Sequence, residues 1–208
     1  SREYWNKQEN VIAAGSYATQ KEKDEVIVKE KNGIKYGLLA YTTLTNGLTM
    51  PKDKRFYLNV YSDALAKKDI EALRDKVDVL IVSMHWGIEY SHGVSPEQKT
   101  IAKYLSSLGV DIIIGTHPHV VEPIEYINNT LVIYSLGNFV SSQIGNEKLT
   151  GLVAAVDITK TTIDGKSVVK LSNTKADLVY TCKPNTCGKG KYKVYPYNKL
   201  NDSLLPNY

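Results

Sequence analysis

All four histidines of the 208-residue sequence fall between positions 85 and 119. Three of them stand directly behind or at the end of apolar runs: His85 closes DVLIVSMH, and His117 and His119 follow VDIIIGT. Imidazole is the commonest side-chain ligand for divalent transition metals near neutral pH. In layered α/β folds, ligands gather at the carboxyl ends of strands, where the loops converge above the sheet. Two neighbouring strands that deliver histidines to that edge would make an imidazole cluster. The run His117-Pro118-His119 adds a second argument. Residues i and i+2 of an extended segment point the same way, and Pro118 fixes its own φ and presses His117 toward extended backbone. Both rings are therefore expected to face one site with His85 beside them. The simpler alternative is a pair of loop histidines bonded to backbone carbonyls. His92, in EYSHGVSP, reads as a partly exposed loop histidine.

Other polar residues lie within reach of the same edge. Glu89 and Tyr90 follow His85 closely. Glu89 reads equally as a carboxylate that orients an imidazole and as a solvated loop residue. In the Ser-Leu-Gly-Asn run at 135–138, Gly137 permits close backbone approach and Asn138 offers a polar contact, although the run also reads as a tight turn ending a strand. No Gly-x-Ser-x-Gly elbow, phosphate-cradling glycine loop or His-Glu-x-x-His helix occurs, so serine hydrolase, nucleotide kinase and zincin chemistries are disfavoured. No catalytic group is assigned from the sequence.

The elements that must position these residues are well marked in the middle of the chain. A helix is expected from about Ser62 to Lys76, with Leu65, Ile70, Leu73 and Val77 as its apolar markers. Asp78–Met84 suits a strand buried on both faces. Ser95 can cap the next helix, with Pro96 in its first position and Gln98 completing a capping box. Ile101, Tyr104, Leu105 and Leu108 keep helical spacing, and Gly109 ends it. Helix, strand, helix, strand over 62–114 predicts a layered α/β sheet with the His85 and His117 strands adjacent and parallel. Upstream, Glu25–Lys29 and Ile34–Thr42 flank Asn32-Gly33, a hairpin turn signal. Downstream, Ile124–Ile127 and Leu131–Ser135 flank Asn128-Asn129, while Leu152–Ile158 and Val168–Leu171 flank Asp164-Gly165. The C-terminal third is thus expected to be mostly antiparallel. Residues 1–180 read as one domain and 181–208 as an irregular tail, with no internal repeat.

Composition bounds the function. Hydrophobic residues at 42% and charged ones at 23% are ordinary for a folded domain. A net charge of +4, with the basic residues scattered, argues against nucleic acid as a partner. Fifteen tyrosines against two phenylalanines hint at a surface rich in ring-plus-hydroxyl contacts. No apolar run approaches the roughly 20 residues that span a bilayer. The opening SREYWNKQEN lacks the apolar stretch of a signal peptide and reads as a segment entered midway, with more chain expected upstream. Cys182 and Cys187 sit close together in TCKPNTCGKG; a local disulfide, and hence an oxidising compartment, is favoured over two free thiols.

Several strings together resemble a known family. His85-Trp86-Gly87 with Glu89-Tyr90 is similar to the His-Trp-Gly-x-Glu-Tyr motif of the CapA-type poly-γ-glutamate synthesis proteins. GTHPHVVEPIE resembles their Gly-x-His-Pro-His-Val motif, and YSLGNFVSSQ their Tyr-Ser-Leu-Gly-Asn-Phe motif. GIKYGLLAYTTLTNGL and GSYATQKEKDE are similar to the segments before them, so the likeness runs from about Gly15 to Asn146. It implies an α/β (α+β) fold of the calcineurin-like metallophosphatase kind, a four-layer α/β/β/α sandwich. It also implies a dinuclear centre of manganese, zinc or iron, with His85 and His117 on one ion and His119 on the other; Glu89, Tyr90 and Asn138, from their own positions, are expected to touch substrate or to stand behind the ligands. The family's Asp-bearing strand end, acidic loop and Asn-Asn-His loop have no counterpart in this sequence. The sandwich is therefore expected to be incomplete and the N-terminal half to lie upstream or on a separate chain. The full-length protein is expected to hold two metal ions, and this sequence alone a single ion at most. The resemblance further implies a protein anchored upstream of this stretch, on the extracellular face of the bacterial membrane, working with other capsule synthase subunits. Its role there is either metal-dependent hydrolysis of a phosphoester or non-enzymatic assembly and export of the anionic polymer.

Overall fold

The protein is described by a computed structural model that covers all residues except 1, 6, 10, 185, 188, 189, 203 and 205–208. Its elements run α1 (Arg2–Trp5), α2 (Gln20–Asp24), β1 (Lys29–Lys31), β2 (Ile34–Thr42), a 3-10 turn (Lys52–Tyr57), α3 (Asp63–Arg74), β3 (Val79–His85), α4 (Pro96–Ser107), β4 (Ile112–Thr116), β5 (Ile124–Ile127), β6 (Thr130–Ile133), α5 (Asn146–Leu149), β7 (Thr150–Ile163), β8 (Lys166–Cys182) and β9 (Lys193–Pro196). Six strands form one sheet in the order β1-β2-β3-β4-β6-β5, and β7-β8-β9 form a second. In the first sheet, β2, β3, β4 and β6 pair in parallel, and the hairpin partners β1 and β5 run antiparallel at its edges.

The local chemistry explains the two long helices. Ser62 Oγ accepts from the Leu65 amide to start α3. Ser95 and Gln98 form the full reciprocal capping box at α4, with Pro96 in the first turn. Helix α3 buries Ala66, Ile70 and Leu73, and α4 buries Ile101, Ala102 and Leu105, against Leu80, Val82, Met84, Ile113 and Val132 of the parallel strands. The opposite face of that sheet, including Val79, Ile81, Ile112, Ile114 and Ile133, packs on Leu152, Val156, Ile158 and Leu171 of the antiparallel sheet. Apolar residues of β3, β4 and β6 thus face cores on both sides, which is why those runs are nearly continuous. Helices, parallel-centred sheet and antiparallel sheet form three layers among the described residues. The fold is mixed α/β, as the sequence indicated, and the described residues do not build a fourth, helical layer.

Some elements differ from the sequence reading. Residues 25–28 are not strand, and β1 is confined to the three residues that face Ile34–Tyr36 across the Asn32-Gly33 turn. The β7–β8 hairpin extends well beyond the expected apolar alternation: toward its turn the strands carry mostly polar, exposed residues, and at the other end Val179–Cys182 of β8 are buried. The stretch expected as an irregular tail contributes β9, which pairs with β8. Tyr195, Tyr197 and Leu200 there pack on Leu149 and Tyr180, beside the disulfide between Cys182 and Cys187. Among the described residues no helix is long and apolar enough to cross a membrane.

Candidate metal centre

Strand register sets the site. β3 and β4 are parallel neighbours, and His85 pairs with Thr116, so His85 and His117 emerge side by side at the carboxyl edge. Their ring centroids are 4.5 Å apart, and His119 lies 6.3 Å from His117. The three expected imidazoles are therefore neighbours. The expected backbone is not what brings them together. His117 has φ +102° and His119 φ +61°, so the His-Pro-His run is folded rather than extended. Strand β4 ends at Thr116, and the loop turns back where the Pro118 carbonyl accepts from the Tyr90 amide at 2.8 Å. Tyr90 itself sits at φ +65°. Three non-glycine residues in the left-handed region at one edge, each costing about 1–3 kcal/mol, need the surrounding fold to hold them, and such strain gathers at ligand sites.

Two of the rings have defined tautomers. Thr42 ends β2 and pairs with His85 across the sheet. Its hydroxyl donates its only proton to the Leu44 carbonyl, so it must accept from His85 Nδ1, 2.9 Å away. His85 therefore keeps its lone pair on Nε2. His119 Nδ1 lies 3.0 Å from Asn138 Oδ1. An amide oxygen only accepts, so His119 also keeps Nε2 unprotonated when neutral. Orientation of a ligating imidazole through its other nitrogen is the usual arrangement at metal sites. Burial, and then the neighbouring imidazoles His117 and His119, push the His85 pKa below the ordinary histidine value; Glu89 opposes this. Burial lowers His117 likewise, against Glu89 and with His119. Both shifts favour the neutral ring, the form that ligates a metal.

The remaining expected residues divide. Asn138 is tightly engaged: its Nδ2 also lies within bonding distance of Gln143 Oε1 at 2.9 Å and the carbonyls of Lys148 at 3.0 Å and His119 at 3.2 Å. Tyr90 stacks on His119 with centroids 5.9 Å apart and planes at 23°. Glu89 is exposed, and its charge reaches both His85 and His117. His92 is exposed and its Nδ1 meets the Val121 carbonyl at 2.8 Å, outside the cluster.

Sequence reasoning missed Thr42 and Glu122. Thr42 acts through strand pairing, which no local motif signals. Glu122 is 2% exposed. Gln98 Nε2 donates to it at 2.6 Å, and burial pushes its carboxyl up. Gln98 also packs against Gly87, where a Cβ would come within 2.7 Å of its amide nitrogen. The capping residue of α4 thereby ties the loop after His85 to the loop after His119.

The donor chemistry fits a divalent transition ion: three imidazoles at a strand edge, with Nε2 left free to ligate on His85 and His119. The geometry is less complete. His85 and His117 form a close pair with His119 one ring contact away, but no group of three or more His, Cys, Asp or Glu among the described residues is set to hold a metal ion.

A parallel-sheet edge bearing three neighbouring imidazoles makes this an α/β domain whose candidate site lies at the carboxyl ends of its strands, where such folds gather ligands. More particularly, the chain belongs to the bacterial capsule synthesis family PGA_cap, which matches residues 3–143. It is 33% identical over 144 residues to the PGA biosynthesis protein CapA of Bacillus subtilis, covering 64% of this chain and 35% of that one. It is 31% identical over 141 residues to the capsule biosynthesis protein CapA of Bacillus anthracis, covering 66% of this chain and 34% of that one. The chain thus spans about a third of the length of these curated relatives. Among solved structures it is similar to a Staphylococcus aureus protein described as a 5'-nucleotidase, with TM-score 0.48, 15% identity, and coverage of 73% of this chain and 28% of that one.

Proposed function

We propose that this chain is part of a poly-γ-glutamate capsule synthesis protein on the extracellular face of the bacterial membrane, and that His85, His117 and His119 supply nitrogen ligands to a divalent manganese, zinc or iron ion used in phosphoester hydrolysis. The observation that carries this reading is the separate fixing of His85 by Thr42 and of His119 by Asn138, each at Nδ1. A bound ion of this kind polarises a phosphoryl oxygen and acidifies a bound water. The chain's own residues do the holding. Thr42 and Asn138 fix ring orientation, Tyr90 covers one side of His119, and burial favours the neutral, ligating form of His85 and His117. Neutral imidazoles do not offset the charge of two divalent cations, so a dinuclear centre draws its carboxylates from other parts of the polypeptide. A second reading is a non-enzymatic component that assembles or exports the anionic polymer with other synthase subunits, in keeping with the capsule synthesis family to which the chain belongs.

Calorimetric titration with zinc and manganese separates the two. On the metal reading this chain binds at most one ion, full-length protein binds more tightly, and His119→Ala weakens both. Equal affinity of this chain and the full-length protein would overturn the account of carboxylates contributed from elsewhere. Absence of binding by either would leave the assembly role.

A further inference from the structure

Lys148 lies beyond the residues 3–143 that match the family, yet it is tied to His119 by two separate routes. Its ammonium sits 4.8 Å from the centroid of the Tyr90 ring, and that ring stacks on His119. Its backbone carbonyl accepts from Asn138 Nδ2 at 3.0 Å, and Asn138 Oδ1 in turn holds His119 Nδ1. Tyr90 is fixed in place as well. Its amide is bonded to Pro118 and its hydroxyl accepts from Gln143 Nε2 at 3.4 Å. The Lys148 side chain is only 24% exposed, so its charge is held at this rim rather than free in solvent.

We propose that Lys148, with the Tyr90 hydroxyl and the Gln143 carboxamide, forms an oxyanion-recognition subsite at the His119 end of the cluster, for a ligand bearing carboxylate or phosphate. The inference rests on reading the imidazole cluster as a ligand site. Lys148 supplies a full positive charge beside it as a compact ammonium with three donors. The tyrosine hydroxyl and the glutamine amide add neutral donors beside it. Glu147 lies 3.3 Å from the Lys148 ammonium but is 45% exposed, and an exposed pair of this kind contributes little and yields to a better-placed anion. A γ-linked glutamate chain carries a carboxylate on each residue, and a phosphoester carries the same oxyanion chemistry.

Isothermal titration of the full chain with inorganic phosphate and with a poly-γ-glutamate oligomer tests the subsite, using wild type, Lys148→Met and Lys148→Arg. Loss of one charge-assisted contact predicts roughly tenfold weaker anion binding in Lys148→Met, with Lys148→Arg within about threefold of wild type. Loss confined to the oligomer identifies carboxylate as the ligand, and loss confined to phosphate identifies a phosphoryl group; either supports the subsite. Wild-type anion affinity in Lys148→Met overturns it. If Lys148→Met unfolds by circular dichroism, Tyr90→Phe takes its place, keeping the ring and removing the hydroxyl; unchanged anion binding there also overturns the proposal. Zinc titrations of the same proteins keep the two ideas apart. Lys148-dependent anion binding without zinc binding would sink the metal reading and leave the subsite standing, whereas zinc binding with no dependence of anion binding on Lys148 would do the reverse.

Discussion

Replacing Gly115 by alanine should damage the site from behind, through packing rather than ligation. Gly115 lies on β4 opposite Met84 of β3, a residue before Thr116, the register partner of His85. A Cβ there would stand 1.8 Å from the Tyr134 carbonyl oxygen and 2.5 Å from Trp86 Nε1. Those atoms are hydrogen-bonded to each other at 2.9 Å, and both side chains are essentially fully buried. A backbone oxygen has no rotamer to escape into, so either β4 moves away from β6 or the indole swings off its acceptor. Overpacking of this kind costs about 1–3 kcal/mol, and leaving the buried indole N–H unpaired costs about 1–3 kcal/mol more. The expected loss is therefore about 2–6 kcal/mol, a large share of the roughly 5–15 kcal/mol that holds a typical domain together. At about 2–4 °C per kcal/mol for a chain of this size, the melting temperature should fall by roughly 4–24 °C. Urea unfolding followed by circular dichroism measures it. A loss below about 1 kcal/mol would show that the Trp86–Tyr134 contact does not clamp β3 to β4 and β6, and that the site does not depend on Gly115.

Three further outcomes are expected. Thr42→Val keeps the shape of the strand end but removes the acceptor for His85 Nδ1, and should weaken zinc binding about 10- to 100-fold with little change in secondary structure; unchanged affinity would remove Thr42 from the site. Asp78 is held below the usual carboxylate range by the Lys160 ammonium and then by the Lys35 amide, at 2.8 and 2.7 Å. Because its folded pKa is depressed, its contribution is present above the ordinary carboxylate pKa and is lost as pH falls through the folded value. Asp78→Asn should therefore cost about 1 kcal/mol at pH 7 and nothing at a pH below the folded value, measured by urea melts across pH. Finally, intact-mass spectrometry with and without reductant should show a gain of a pair of hydrogens from opening Cys182–Cys187; two free thiols after aerobic purification would contradict the oxidised pairing.

What could be read from the sequence follows the distance over which each feature is decided. The cap of α4 is set by Ser95, Pro96 and Gln98 within a single turn, and it forms as expected. The buried runs of β3 and β4 place His85 and His117 on adjacent parallel strands, because continuous apolar stretches around a capped helix leave little else for the chain to do. The loop after β4 was not legible. Pro118 biases His117 toward extended backbone locally, but the bond from the Tyr90 amide to the Pro118 carbonyl, 28 residues apart in sequence, favours the folded loop with positive φ at His117 and His119. Thr42 escaped notice for a related reason: its partner is set by sheet register. The length of β7 and β8 was hidden because the alternating half-buried positions beyond the apolar cores are filled by polar residues such as Lys160 and Thr174, and the buried end of β8 at Val179–Cys182 packs through distant partners.

The central claim is that the imidazoles at the β3–β4 edge ligate a divalent ion. X-ray absorption on the chain loaded with one equivalent of zinc tests it most directly. The account predicts a nitrogen shell near 2.0–2.1 Å with imidazole scattering behind it, losing one imidazole in His119→Ala and disappearing in His85→Ala/His117→Ala. The same zinc spectrum in that double variant as in wild type would contradict the account.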